Sequence, residues 1–373
     1  MPSATVTTTT LNVPPCKNVK ELAPDDLAEL KEIVQDMVRR CDVPYTAIPF
    51  DTAFFDLCCA DAKRRGCPMD DTARASTSNP TASLAQFRSI RPKLINGVGM
   101  ATATFGHLRD QNTKVYIAVY TALLMYVEDY LQNDVDLVSG FNARFVRGAK
   151  QAHPVLQALA DLLGELQDRF EPVVASIVLT SALNYVSAIW LEHETDSLEL
   201  TEDAISFPGF SRWLSGSSEA FALFVFASEL PLRAYIHAIP DMMTFLNYSN
   251  DVLSFYKEEL AGESANHISV LARVQGTRKL AVVRRIADET VACVRRLRGL
   301  VRGKHLVGAS SGVAALEGGA VAAMGGDSSA GDVPVTDSGA AHPRSAAEIV
   351  DALFTGYVSF HASLARYRLD ELL

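Results

Sequence analysis

Two long apolar runs constrain this chain more than any other feature. "YIAVYTALLMYV" (116–127) is apolar around its whole helical circumference and stops at Glu128. "VVASIVLTSALNYVSAIWL" (173–191) is longer and is punctuated by Thr180, Ser181, Asn184 and Ser187. Helices that are apolar nearly all round belong inside a bundle or a membrane. The first run is shorter than the roughly 20 residues a bilayer needs. The polar residues in the second favour a core helix, so no membrane span is expected. Few stretches alternate apolar and polar residues, and βαβ periodicity is absent. The expected fold class is all-α, a helical bundle.

The remaining segments fit that expectation. Residues 25–40, "DDLAELKEIVQDMVRR", are amphipathic, with acidic residues early and Arg39 and Arg40 late, matching the helix dipole. Helical pattern recurs at 81–110, at 219–230 ahead of Pro231, from about Pro240 through Glu259, at 267–302 with a basic outer face, and after Ser345. "GVGMAT" (97–102) has no strand before it and does not read as a dinucleotide loop. Residues 306–345 are rich in Gly, Ala and Ser and read as a flexible loop. Residues 1–24 read as a disordered tail, without the charges or apolar run of a signal peptide. One domain, 25–373, is expected.

With 373 residues the chain is long enough for one large core. Its formal charge of −10, with no basic stripe, argues against a nucleic-acid partner. Cys16, Cys41, Cys58, Cys59, Cys67 and Cys293 form no CxxC pair and read as free thiols in a reducing, cytoplasmic setting.

The polar stretch "NYSNDVLSFYKEE" (247–259) interrupts this apolar chain. Residues four apart on a helix differ by about 40° and roughly 6 Å. Asn250, Ser254 and Glu258 therefore form one ladder of oxygen donors, suited to a hard divalent cation. Lys257 is placed to reach a phosphate. By spacing alone the ladder fits a solvated helix face as well as a metal site. A second acidic group, "LLMYVEDYLQND" (123–134), ends an apolar helix with Glu128 and Asp129, followed by Asn133 and Asp134. A helix end reaching water and a cation site both fit it. Two such clusters on helices of one bundle suggest facing walls of one cavity. Basic residues complete the set: Arg212 in the turn-rich "SFPGFSRWLSG" (206–216), and Arg366 and Arg368 around Tyr367 near the C-terminus. Arginine binds phosphate oxygens bidentately. Tyr185 and Trp190 read as core.

"NDVLSFYKE" (250–258) resembles the Asn-Asp-x-x-Ser-x-x-Lys-Glu signature of class I terpene synthases at every specified position, within them most like the fungal trichodiene synthase family. "FPGFSR" (207–212) resembles the segment carrying that family's diphosphate-sensing arginine. "GYVSFHASLARYRL" (356–369) resembles its C-terminal segment with the Arg-Tyr pair. The likeness runs in blocks from about Tyr116 to Leu369. It implies a class I terpenoid synthase bundle with a central apolar cavity, and Mg²⁺, three ions, as cofactor. It also implies a prenyl diphosphate substrate, and the family often forms homodimers. Asn250, Ser254 and Glu258 would hold one ion, Lys257 the diphosphate, Arg212 would be the sensor, and Arg366 and Tyr367 would bind diphosphate on closure.

The first motif departs from the family's Asp-Asp start. Glu128 takes the metal-bridging position with Asp129 beside it, placed to pair with Arg366, and either could be the main ligand. The implied substrate is farnesyl diphosphate, giving a sesquiterpene hydrocarbon or alcohol. Geranyl diphosphate with an acyclic alcohol product, and an inactive isoprenoid-binding bundle, stay open.

Overall fold

The computed structural model describes residues 22–70, 87–132, 134–195, 198–227, 229–302 and 344–373. Most of the expected tail and loop, with Asn133 and Cys16, lies outside them. The described chain is a bundle of α-helices: α1 Pro24–Cys41, α2 Thr52–Arg64, α3 Arg91–Ala103, α4 Gln111–Tyr126, α5 Val135–Ser139, α6 Phe141–Val146, α7 Pro154–Gly164, α8 Leu166–Arg169, α9 Pro172–Glu194, α10 Phe207–Ser215, α11 Ser218–Phe224, α12 Ile239–Ala261, α13 His267–Val274, α14 Lys279–Arg302 and α15 Ala346–Ser363. Short 3₁₀ turns follow at Ala365–Tyr367 and Leu369–Glu371.

Local chemistry sets the ends. Proline opens α1, α9, α10 and α12, where its missing N–H is no loss. Asp110 accepts from the N–H groups of Asn112 and Thr113 to start α4. Ser345 and Glu348 form a reciprocal capping box that starts α15, so the expected loop ends by residue 344. Gly262, at φ +73°, stops α12 and turns Glu263 back so that its N–H bonds the Glu258 carbonyl.

Both apolar runs are core helices. Tyr116, Ile117, Ala118, Val119 and Tyr120 are all buried in α4. Among the described residues, α9 alone is long and apolar enough to cross a membrane, and half of it is buried in the bundle. Tyr116, Tyr120, Phe170 and Phe224 pack edge-on or tilted between α4, α9 and α11. The "GVGMAT" glycines lie inside α3. A Cβ on Gly97 would fall 2.1 Å from the Ala118 carbonyl oxygen of α4, so glycine is what lets the two helices touch backbone to backbone.

Several expectations are corrected. The helix expected over 219–230 ends at Phe224, because Phe226 and Ala227 turn in 3₁₀ fashion and Phe226 stacks on Tyr235 at 4.1 Å. The helix expected over 267–302 is split by Gly276, at φ +59°. Arg212 lies within α10, since Pro208 opens a helix there. Trp190 is 42% exposed and donates to Glu194 from the rim of α9. The five described cysteines are free thiols.

An ion-pair staple ties α2 to the α7–α8 junction. The buried Arg65 guanidinium bonds both oxygens of Glu165, at 2.8 and 3.0 Å, and Asp61 at 2.7 Å. Arg65, with Arg169 behind it, holds the Glu165 carboxyl below its ordinary range. This stability is present above the unfolded carboxyl value of about 4.3 and is lost as pH falls through the depressed folded value. Arg65→Met is expected to cost about 2 kcal/mol at pH 7. Thermal melts at pH 7 and pH 3.5 check this: the gap between wild type and variant narrows at the lower pH.

Candidate active site

The ladder residues sit on α12, where burial leaves Ser254 and Asp251 nearly closed to solvent. Ser254 Oγ donates to Glu258 Oε1 at 2.6 Å. Burial pushes the Glu258 carboxyl up to about 7, against the opposing pull of Lys257 and Ser254. Lys257 Nζ stands 3.9 Å from Glu258 and 3.7 Å from Glu263, the residue that Gly262 turns back.

Arg212 reaches across from α10. Its Nε lies 2.7 Å from Asp251 Oδ1, and its Nη2 donates to the Asn247 carbonyl at 3.0 Å and to Asn250 Oδ1 at 3.2 Å. The other Asp251 oxygen lies 2.7 Å from His267 Nδ1, at the start of α13. A Cβ on Gly216 would fall 2.1 Å from Asn247 Oδ1, so this glycine lets the end of α10 close on α12. On the other side of Asn250, Nδ2 lies 3.3 Å from His361 Nε2 of α15. Burial lowers His361 to about 4, with Arg366 and Lys257 adding to the effect, so the ring is neutral at pH 7.

The second acidic cluster lies where α4 continues into a π-helical turn, Val127–Leu131. Such a turn inserts one extra residue and re-aims the side chains it carries, often at functional sites. Glu128 Oε2 accepts from the Tyr185 hydroxyl of α9 at 2.8 Å. Tyr185 is buried as expected, but its hydroxyl serves the acidic cluster. Asp129 pairs with Lys93 of α3, and Arg366 lies 3.8 Å from the same carboxylate. Burial pulls Lys93 down, opposed by Asp129, and its ammonium lies over the Tyr130 ring at 4.4 Å. The Arg366 guanidinium sits 5.5 Å from the Tyr367 ring centre.

These groups form one electrostatic neighbourhood. The charge of Glu128 acts on Lys257, Arg366 and Tyr367, which Glu258 or Glu263 also reach. Glu192 of α9 joins them: burial, with Glu128 adding to it, pushes its carboxyl up to about 7. Two candidates fall elsewhere. Asp134 heads α5 and acts on His153, and Arg368 pairs with Glu371. Sequence reasoning passed over Lys93, Glu192, Asn247, Glu263, His267 and His361. Asn247 lies one turn ahead of Asn250 and the glycine after α12 marks Glu263. For Lys93 and Glu192 no local signal exists.

Among the described residues, no three His, Cys, Asp or Glu side chains converge on one point. A cation here needs the amide and hydroxyl oxygens of Asn250 and Ser254 beside the Glu258 carboxylate. That all-oxygen set suits a hard divalent ion. The crowding of Glu192, Glu258 and Glu263, all pushed up by burial, fits the same need for positive charge.

The profile of the family described as Trichodiene synthase (TRI5) matches residues 90–312. Alpha-cuprenene synthase COP6 of Coprinopsis cinerea is 37% identical over 265 residues, spanning 71% of this chain and 78% of that protein. Terpene synthase BipA of Cochliobolus sativus is 35% identical over 269 residues, spanning 70% of this chain and 82% of its own length. The solved structure of a linalool/nerolidol synthase from Streptomyces clavuligerus superposes with a TM-score of 0.55 at 12% identity, over 86% of this chain and 97% of that one, and shares the fold. With a profile match over more than half its length and relatives above a third identical, this chain belongs to the trichodiene synthase family of class I terpene synthases.

Proposed function

We propose that the chain ionises farnesyl diphosphate to a sesquiterpene hydrocarbon or alcohol, at the site between α12, the π-turn after α4 and the C-terminal Arg-Tyr pair. One observation carries this reading: Arg212, Lys257 and Arg366, all largely buried, are interleaved with oxygen-donor side chains. Buried cations beside carboxylates and amides suit an anion that arrives with divalent metal. Class I terpene synthases generally use Mg²⁺. Asn250, Ser254 and Glu258 would hold one ion, and Glu128 with Asp129 would hold the others, three in all. Bound there, Mg²⁺ supplies Lewis-acid stabilisation of the departing diphosphate and neutralises the gathered carboxylates.

The chain's own groups do the rest. Arg212 and Arg366 are held by Asp251 and Asp129 in carboxylate pairs that a diphosphate can replace with more charge. Lys257 acts as a compact point charge on the same leaving group. Tyr185 orients the Glu128 carboxylate, and its extra methylene reaches the hydroxyl. The allylic cation left behind needs to be kept from water, and the buried apolar interior between α4, α9 and α11 suits that need.

A second reading has one observation in its favour. Asn250, Ser254, Glu128 and Asp129 each already have a partner within the chain, as in a bundle that binds isoprenoids without turning them over. Purified protein given Mg²⁺ and farnesyl diphosphate is expected to release inorganic diphosphate and a volatile product identified by gas chromatography and mass spectrometry. Release from geranyl diphosphate alone moves the substrate to the shorter chain. No release from either supports the inactive bundle.

A further inference from the structure

We propose that His361 is a positioning residue that fixes which way the Asn250 amide faces. The inference rests on the reading of Asn250 as a Mg²⁺ ligand and adds what orients it. An amide has two ends of similar size and opposite character, and only Oδ1 can bind a cation. Nothing about α12 by itself decides which end faces the ladder.

The hydrogen bonds decide it in sequence. His361 Nδ1 lies 2.8 Å from the Tyr357 carbonyl oxygen, which can only accept, so Nδ1 carries the proton. Across the amide Arg212 Nη2, which can only donate, lies 3.2 Å from Oδ1, so the end that meets the ring is Nδ2 and Nε2 is the acceptor there. Of the two ends of Asn250, only Nδ2 can donate to it, across 3.3 Å. Oδ1 must therefore face away from α15. There it accepts from Arg212 and shares the helix face of Ser254 and Glu258. A flipped amide would set Nδ2 against the Arg212 guanidinium, donor against donor.

The ring is built to stay put. His361 is fully buried. Tyr357, Phe360 and Tyr367 surround it with ring centres at 4.7, 4.9 and 4.5 Å. The Tyr357 hydroxyl donates to the Leu246 carbonyl at 3.2 Å and ties α15 to α12 beside the pair. Groups that orient a metal ligand in this way commonly matter tenfold to a hundredfold for metal affinity.

The test follows thermal stabilisation by Mg²⁺ at fixed inorganic diphosphate, using full-length wild type, Asn250→Ala, His361→Phe and His361→Gln. The Mg²⁺ midpoint is expected to rise roughly tenfold in His361→Phe. In His361→Gln, whose amide oxygen can still accept from Nδ2, it is expected to stay within about threefold of wild type. His361→Met, also without the ring acceptor, replaces the Phe variant if that one fails to fold. Circular dichroism without Mg²⁺ establishes that each variant is folded. If Asn250→Ala shifts the midpoint and folded His361→Phe does not, the positioning role is overturned while the ligand reading stands. Equal shifts in His361→Gln and His361→Phe also overturn it, because packing would then be the cause. A wild-type midpoint in Asn250→Ala removes the ligand reading and this inference with it.

Discussion

Glu258→Gln is expected to abolish diphosphate release from farnesyl diphosphate, by on the order of 10³-fold or more in kcat. The substitution keeps the side chain's length and leaves an oxygen that can accept from Ser254 Oγ, now 2.6 Å from the carboxylate. It removes only the negative charge, and that charge is what a divalent cation takes from the ladder. Asn250 and Ser254 are neutral donors and cannot replace it. Helical content and the melting temperature without Mg²⁺ are expected to match wild type, because Glu258 is a buried carboxyl whose charged form burial disfavours. Steady-state kinetics and thermal melts check both halves. A Gln variant with wild-type turnover would remove the metal ladder from the proposed mechanism.

Gly97→Ala is expected to destabilise the fold by about 3 kcal/mol or more. Within a helix, alanine normally gains up to about 1 kcal/mol over glycine. Here the new Cβ would lie 2.1 Å from the Ala118 carbonyl oxygen, a backbone atom inside a buried helix that cannot rotate away. α3 and α4 would have to separate, opening the contact that also sets Lys93 beside Asp129. Activity is therefore expected to fall together with stability. Chemical denaturation of wild type and variant measures the first effect, and diphosphate release the second. A variant as stable as wild type would show that the helices are not held in backbone contact.

How much was legible depended on the range of the interaction concerned. The existence of α1, α4, α9, α12 and α15 followed from apolar pattern and end signals, which act within a few residues. Helix ends were less legible. "FPGFSR" looks turn-rich, yet Pro208 and a tolerated Gly209 begin α10 there. "EAFALFVFASEL" looks helical through to Pro231, yet the stacking of Phe226 on Tyr235 ends α11 early. That contact is invisible to a local pattern because Tyr235 belongs to the next turn of chain. The ladder of Asn250, Ser254 and Glu258 could be laid out from helical spacing alone, since all three share one helix. Lys93 and Glu192 could not, being brought to the acidic clusters by α3 and α9.

Sequence alone settled the fold class, the family resemblance and which side chains carry oxygen and positive charge, because residue type and helical period are local properties. Tertiary structure alone decided how those side chains are aimed. The π-turn after Tyr126 presents Glu128 to Tyr185 and Asp129 to Lys93. His361, 111 residues from Asn250 along the chain, orients its amide. Each of these depends on a hydrogen bond between helices, whose partners are chosen by packing and not by proximity in sequence.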